Sequence, residues 1–134
     1  MRKSLLDTSI LIAFLKGEKK VFTKVEEYLQ EFNELSLSII SYYEILRGLK
    51  YLGNKRRITD FEKLMDKSEI VTLNRTIMIK ASEIYSTLKR RGELIGDADI
   101  LIAASCLVRN MTLITNNENH FRRIDNLPVE NWLI

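Results

Sequence analysis

The apolar positions of the chain follow two different periods, and their succession predicts strands that alternate with helices. Short apolar runs and two-residue alternation are typical of strands. On this basis we predict strands at residues 3–6, 35–39, 69–73, 111–115 and 129–133. The first three are followed by segments with apolar residues at helical spacing. This order favours a parallel sheet of about five strands with helices on both faces, so the predicted fold class is α/β.

Helical spacing predicts six helices along the chain. The first is capped by Thr8 or Ser9 and stopped by Gly17, because small polar residues begin helices and glycine ends them. The others are predicted at residues 21–32, 42–52, 55–67, 75–91 and 97–109. The last helix is apolar on nearly every side, so we expect it to be buried. No linker or repeat interrupts the chain, which we therefore expect to form one domain over residues 1–134.

Composition narrows the class of protein without identifying an activity. Of the 134 residues, 46% are hydrophobic and 29% are charged, which is the balance of a globular protein. The net charge of +3 is compatible with a polyanionic partner but is common among ordinary proteins. No apolar run approaches the roughly 18 residues of a membrane span, and the pattern of a signal peptide is missing. The single cysteine allows no internal disulfide, and we expect a cytoplasmic protein.

Acidic residues follow the first two predicted strands. In an open α/β sheet the binding crevice lies beyond the carboxyl ends of the strands. Asp7 directly follows the first strand, where it could cap the next helix or serve as a site carboxylate. Glu44 follows the second strand, among bulky apolar neighbours that make an unpartnered carboxylate costly to bury. Ser41 lies three residues earlier and completes a capping-box pattern, so Glu44 has both a structural and a functional interpretation.

Two further groups of polar residues occupy equivalent positions. Asp97 and Asp99 open the most hydrophobic helix, where the helix dipole favours acidic side chains. Since residues two apart on a helix point in different directions, we expect Asp99 to face the crevice and Asp97 to cap the helix or support the site. Thr115 and Asn117 close the fourth strand, where they form a turn or hold water, phosphate or a metal-bound water.

The oxygen, nitrogen and sulfur ligands in the sequence limit which metal ions and which catalytic mechanisms are possible. Converging carboxylates are hard oxygen ligands that suit Mg²⁺ or Mn²⁺. With only His120 and Cys106 as nitrogen and sulfur donors, a structural zinc site and a histidine-dependent triad are excluded. No glycine-rich phosphate loop is present. A haloacid-dehalogenase-type phosphatase would need an aspartate where Ser9 stands, and a response-regulator receiver would need a phosphoacceptor at residues 73–74.

The set of motifs resembles the PIN-domain nucleases, and within them the VapC-type toxins of toxin–antitoxin pairs. The resemblance covers nearly the whole chain, with the motifs in the same order and at similar spacing. Its motifs are residues 5–9 (LLDTS), 41–48 (SYYEILRG), 95–104 (IGDADILIAA), 113–117 (LITNN) with His120 and Phe121, and 127–132 (LPVENW).

The resemblance implies a three-layer α/β/α domain and a divalent-metal-dependent endoribonuclease. The three principal acids of the family fall on Asp7, Glu44 and Asp99, and Asp97 is an additional acid that some members share. The fourth acidic position of the family is occupied by Asn117 in this chain. A nearby position that is also acidic in some relatives is occupied by His120. These departures leave the number of metal ions open.

The resemblance also implies particular roles and partners. Thr8 and Ser9 are expected to orient Asp7 or a bound water. The cation, Mg²⁺ or Mn²⁺, would activate a water for attack on an RNA phosphodiester. Basic clusters would hold the RNA backbone, and the candidates lie at residues 19–20, 55–57, 89–91 and 122–123.

A toxin of this kind would bind an antitoxin protein, whose C-terminal segment would cover the crevice and place a basic residue among the acids. A homodimer is expected as well. Two alternatives stay open: a PIN nuclease of RNA processing or decay that has no antitoxin, and a non-catalytic RNA-binding relative.

Overall fold

A computed structural model describes residues 1–134 as five short strands and seven helices. The strands are β1 (Ser4–Leu6), β2 (Ser36–Ser38), β3 (Glu69–Val71), β4 (Thr112–Ile114) and β5 (Val129–Glu130). The helices are α1 (Thr8–Leu15), α2 (Lys19–Glu31), α3 (Ile39–Leu52), α4 (Lys55–Asp66), α5 (Arg75–Arg91), α6 (Asp97–Arg109) and α7 (Glu118–Phe121). Every predicted strand and helix is present, and the predictions for α5 and α6 match residue by residue. Helix α7 was not predicted, because four residues are too few to show a period.

All strand pairs are parallel, as predicted, but the strands form two hydrogen-bonded ladders instead of one sheet. One ladder has the order β1-β4-β5, and the other pairs β2 with β3. Strands β1 and β2 lie side by side without ladder hydrogen bonds between them. Each strand has only two or three residues, so a small divergence is enough to interrupt a ladder. The expectation of one continuous sheet is therefore corrected to five parallel strands with a break in the middle.

The strands separate two hydrophobic clusters, because neighbouring side chains on a strand point to opposite faces. Leu5 and Leu113 belong to the cluster under α5 and α6, which contains 16 buried residues. Leu6 and Ile114 belong to the cluster under α1 to α4, which contains 14. This arrangement confirms the three-layer α/β/α architecture. None of the helices combines the length and the apolar character that a membrane span requires.

Helix α2 begins at Lys19, two residues before the predicted Val21, and the start of α3 and the cap of α6 also differ from the sequence predictions. Helix α3 begins at Ile39, three residues before the predicted Tyr42, and its N-cap is Ser38, whose side chain accepts a hydrogen bond from the backbone N–H of Ile40. Helix α6 has Gly96 as its N-cap, so the interpretation of Asp97 as the cap is wrong. Both ends depend on backbone conformation, which the residue types alone do not specify, since several polar residues in each segment are acceptable caps.

Tyr28 connects α2 to the first strand. Its hydroxyl accepts a hydrogen bond from the backbone N–H of Ser4 at 3.0 Å and lies 3.4 Å from the Ser4 carbonyl, to which it donates. The ring is fully buried, stacks on Phe32 and contacts Trp132 near the C-terminus. The hydroxyl satisfies a backbone group of β1 that faces away from β4, and burial raises the pKa of the phenol.

We expect Tyr28→Phe to lower the free energy of unfolding by about 1–3 kcal/mol, because the buried N–H of Ser4 loses its acceptor. Urea unfolding followed by circular dichroism measures the change. Tyr51 provides a matched control, since it is 91% exposed, and Tyr51→Phe should change stability by less than about 0.5 kcal/mol. Equal stability of the two variants would contradict the role given to the Tyr28 hydroxyl.

Candidate active site

Asp7 stands at the carboxyl end of β1 and is the most deeply buried acid of the site. Its backbone N–H donates to the Ile114 carbonyl at 2.8 Å and so continues the pairing of β1 with β4 by one residue. Its side chain is 3% exposed. The carboxylate accepts hydrogen bonds from the hydroxyls of Thr115 at 2.8 Å and Ser9 at 3.4 Å. The parallel register of two neighbouring strands thus places an acid beside a hydroxyl donor.

Asp7 is also the N-cap residue of α1 by position, but its side chain makes no capping hydrogen bond. The cap expected at Thr8 or Ser9 is therefore one residue too late. The carboxylate is turned towards Thr115 instead. Of the two interpretations open for Asp7, the geometry favours a site carboxylate over a helix cap.

Glu44 is held by a residue from another helix. The hydroxyl of Thr8, at the start of α1, lies 2.7 Å from Oε1 of Glu44 and 2.8 Å from the hydroxyl of Ser41. Ser41 is fully buried inside the first turns of α3, and Ser38 takes the cap. The capping-box interpretation of Glu44 is therefore wrong. Thr8 contacts Glu44, whereas Ser9 contacts Asp7.

Asp99 lies in the first turn of α6 with a side chain that is 25% exposed. Its Oδ2 is 3.4 Å from Nδ1 of His120, which stands on α7. Asp97, two residues earlier, is exposed and has no hydrogen-bond partner in the site. The two aspartates therefore point in different directions, as their spacing predicts.

The turn after β4 completes the surroundings of Asp7. The Thr115 hydroxyl accepts from the backbone N–H of Asn117 at 2.9 Å while it donates to Asp7. The backbone N–H of Asn116 donates to the Ser9 hydroxyl at 3.2 Å. Asn117 itself is exposed, and its backbone, not its side chain, joins this network. Thr115 and Ser9 are therefore fixed by the same turn that brings them to Asp7.

The charge of one acid affects the pKa of the next among Asp7, Asp99 and Glu44. Burial is the main cause that raises the pKa of Asp7, hydrogen bonds from Thr115 and others oppose it, and the charge of Asp99 raises it further. Burial also raises the pKa of Asp99, which His120 lowers and the charge of Glu44 raises. Asp99 is thus electrostatically coupled to both of the other acids. The structure thus links Asp7, Asp99 and Glu44 through their charges, and Asp97 is exposed.

Sequence reasoning missed two contacts of the site. Ser41 was assigned to a cap, yet it supports Thr8, and no local pattern signals that contact because it joins two helices. His120 was noted as a departure from the family pattern without a role, and its position beside Asp99 depends on α7. The isolated histidine in a segment that follows β4 was the available signal.

The donor set fits a hard divalent cation. Three carboxylates, each with at least one hydrogen-bond partner, supply oxygen ligands of the kind that Mg²⁺ and Mn²⁺ prefer. No three acidic, histidine or cysteine side chains are close enough together in the structure to hold one ion jointly. Burial is the main cause that raises the pKa values of Asp7 and Asp99, and the charge of a neighbouring acid raises each of them further. The match to a divalent cation therefore lies in the types of ligand that these residues offer.

We expect Asp7→Asn to raise the stability of the protein at pH 7 in the presence of EDTA. Because the folded-state pKa of Asp7 lies above its ordinary value of 3.8, the folded protein holds this proton more tightly than the unfolded chain. Stability is therefore lost as pH rises from that value through the folded-state pKa. The amide carries no charge and avoids this loss, so the advantage of the variant should grow as pH rises and vanish at low pH.

Urea unfolding at several pH values measures this difference between Asp7→Asn and the wild type. Asp60→Asn serves as the control, since Asp60 is exposed and its variant should show no such dependence on pH. A variant at Asp7 that is less stable than the wild type at pH 7 would show that the carboxylate serves the fold.

Comparison with known proteins agrees with this geometry. The PIN-domain family model matches residues 4–127. Ribonuclease VapC1 of Methanocaldococcus jannaschii is 36% identical over 122 residues, which cover 91% of this chain and 81% of that protein. Two solved structures superpose closely over nearly the whole chain.

The first is VapBC2 from Rickettsia felis bound to a DNA fragment from its promoter, with a TM-score of 0.87, 28% identity and coverage of 96% of this chain and 98% of that one. The second is VapBC-1 from nontypeable Haemophilus influenzae, with a TM-score of 0.85, 30% identity and coverage of 98% of both chains. Sequence and fold therefore agree, and the chain belongs to the PIN-domain family, among the VapC ribonucleases.

Proposed function

We propose that residues 1–134 form one PIN domain that acts as a divalent-metal-dependent endoribonuclease and as the toxin of a toxin–antitoxin pair. The observation that carries the proposal is the burial of the Asp7 carboxylate at the end of β1, within the electrostatic reach of Asp99. A buried acid without a cationic partner is costly, and such acids occur where function requires them. Relatives named as ribonucleases support the reaction class.

Each acid is held by a neighbour that fixes its orientation. Thr115 and Ser9 donate to Asp7, Thr8 donates to Glu44, and His120 contacts Asp99. Asp7, Glu44 and Asp99 would hold Mg²⁺ or Mn²⁺, and the ion would supply a bound water of lowered pKa and positive charge beside the phosphate. The hydroxyls keep the carboxylates aimed at the crevice, and hydroxyl donors preferentially stabilise the ionised form that a cation needs.

Residues at the rim complete the proposed site. Asp97 adds negative charge at the start of α6 and is proposed as an additional metal-supporting acid, and Asn117 as a group that contacts substrate. Among the basic clusters, Arg91 is paired with Asp125, Arg122 with Glu118, and Arg123 donates to the Glu93 carbonyl.

The clusters on α5 and around α7 are therefore partly engaged in contacts within the chain. Lys16 and Arg57 have no ion-pair partner and line a groove that also includes Glu44. They are the basic residues best placed to hold an RNA backbone close to the acids, which binding of phosphate groups requires.

We expect purified protein to cleave RNA only with Mg²⁺ or Mn²⁺, and Asp7→Asn and Asp99→Asn to lower the rate by at least about 100-fold, the usual effect of removing one electrostatic stabiliser. Labelled structured RNAs on denaturing gels give the readout. Asp66→Asn is the matched control and should cleave like the wild type, since Asp66 is exposed and does not line the groove with Lys16 and Arg57.

Cleavage that persists in EDTA would refute the metal dependence. Wild-type protein that is folded, binds RNA and cleaves none of the tested RNAs with either ion would favour the non-catalytic alternative. Cleavage by a chain whose neighbouring genes encode no binding partner would favour a nuclease of RNA processing or decay.

A groove beside the acids supports the proposed antitoxin partner. It encloses about 330 Å³ between α1, α3 and α4, and its apolar lining includes Ile12, Leu15, Leu49 and Leu52, with Glu44 and Asp60 among the polar lining residues. Leu52 is 68% exposed and Leu15 is 42% exposed, so apolar surface is available for a partner. An amphipathic segment with a basic residue would match both the apolar lining and the acids. A homodimer stays a prediction.

We expect Leu52→Asp to weaken binding of the antitoxin encoded beside this gene by at least about tenfold, or 1.4 kcal/mol, because an unpaired carboxylate would be buried against apolar partner atoms. Tyr51→Asp is the matched control, since Tyr51 is the adjacent residue and does not line the groove. Titration calorimetry with the purified antitoxin measures both. Undiminished binding by Leu52→Asp would place the partner elsewhere.

A further inference from the structure

His120 lies beside the proposed metal site, and its side chain has one polar contact there, with Asp99. It is the only histidine of the chain and lies on the short helix α7, three residues after Asn117. Its Nδ1 is 3.4 Å from Oδ2 of Asp99, and the imidazole has no other side-chain partner. The side chain is 49% exposed, and that of Asp99 is 25% exposed. Both donors are therefore reachable from solvent.

The distance between the two donor atoms suits a shared cation. Two neighbouring ligands on an octahedral ion with bonds of about 2.1 Å lie about 3 Å apart. The observed separation of 3.4 Å is close to this value. His120 also lines an open cleft of about 350 Å³ whose lining residues are all polar and do not include Asp99, so water reaches the imidazole from this side.

Neighbouring charged groups do not compete for the imidazole. Glu118 on the same helix accepts hydrogen bonds from Arg122 and Asn131. Its carboxylate is therefore engaged away from His120. The imidazole remains directed at Asp99, which is also the acid that is coupled to both Asp7 and Glu44.

We propose that Nδ1 of His120 is a ligand of the same cation as Asp99, and that this nitrogen makes the site prefer Mn²⁺ to Mg²⁺. This inference rests on the proposed metal-dependent function. Mg²⁺ is bound almost entirely by oxygen ligands, whereas imidazole binds transition metals well, and affinity for nitrogen-containing sites rises along the transition series from Mn²⁺. One histidine in a set of carboxylates therefore shifts selectivity without preventing a bound water.

The test compares the wild type with His120→Asp and His120→Ala. Titration calorimetry with each ion gives the ratio of the Mg²⁺ and Mn²⁺ dissociation constants, and thermal shift gives a second readout that needs no cleavage. We expect His120→Asp to lower that ratio by about tenfold, the low end of the effect of changing groups around a metal. His120→Ala should weaken Mn²⁺ binding more than Mg²⁺ binding. Gln30→Glu, which adds the same charge at an exposed residue outside this cleft, should leave the ratio unchanged.

Electron spin echo spectroscopy of bound Mn²⁺ identifies the ligand directly. The wild type should show modulation from a coordinated ¹⁴N nucleus, and the two His120 variants should lack it. An unchanged Mg²⁺ to Mn²⁺ ratio in both variants, or Mn²⁺ bound without a nitrogen signal, would overturn the role of His120 alone. Failure of the wild type to bind either ion would overturn the metal dependence of the proposed function as well.

Discussion

The site depends on the burial of one carboxylate at the end of a strand. Asp7 is 3% exposed and has no basic side chain among its hydrogen-bond partners. Two hydroxyls reduce the cost of its burial without removing it, since burial remains the dominant cause of its raised pKa. The parallel register of β1 and β4 supplies one of those hydroxyls by placing Thr115 directly beside Asp7. The pairing of β1 with β4 therefore positions the partner of Asp7 as well as residues of the hydrophobic core.

The first turn of α1 contacts two carboxylates through two hydroxyl groups. Thr8 and Ser9 are adjacent in sequence, and successive residues on a helix point about 100° apart. Thr8 therefore reaches Glu44 on α3, whereas Ser9 turns back to Asp7. Ser41 fixes Thr8 in turn. Two adjacent hydroxyl residues thus hold acids that belong to different elements.

The sequence predicts the features that depend on neighbouring residues along the chain, such as the ends of some helices. Helix α5 is bounded by Asn74, which caps it, and by Gly92, whose φ of +69° suits glycine, so its ends were readable. The serines near the start of α3 are equally plausible caps by type, and backbone conformation decides, since Ser38 is extended whereas Ser41 already lies inside the helix. Asp7, Glu44 and Asp99 were predicted from their positions after strands or at helix starts and from the family resemblance, and their role in the site stays a prediction. The contact of His120 with Asp99 joins α7 to α6, and no local pattern encodes a contact between elements.

The negative charge of the acids bears on both parts of the proposed function, the binding of a cation and the binding of a partner. Burial is the main cause that raises the pKa of Asp7, and the charge of Asp99 raises it further, so a positive charge that enters the crevice would be stabilised. A metal ion and a basic side chain would both supply that charge. Glu44 also lines the apolar groove, so a segment bound there would be able to deliver a cationic side chain to the acids. In the proposed function, cation binding and antitoxin binding would therefore compete for the same acids.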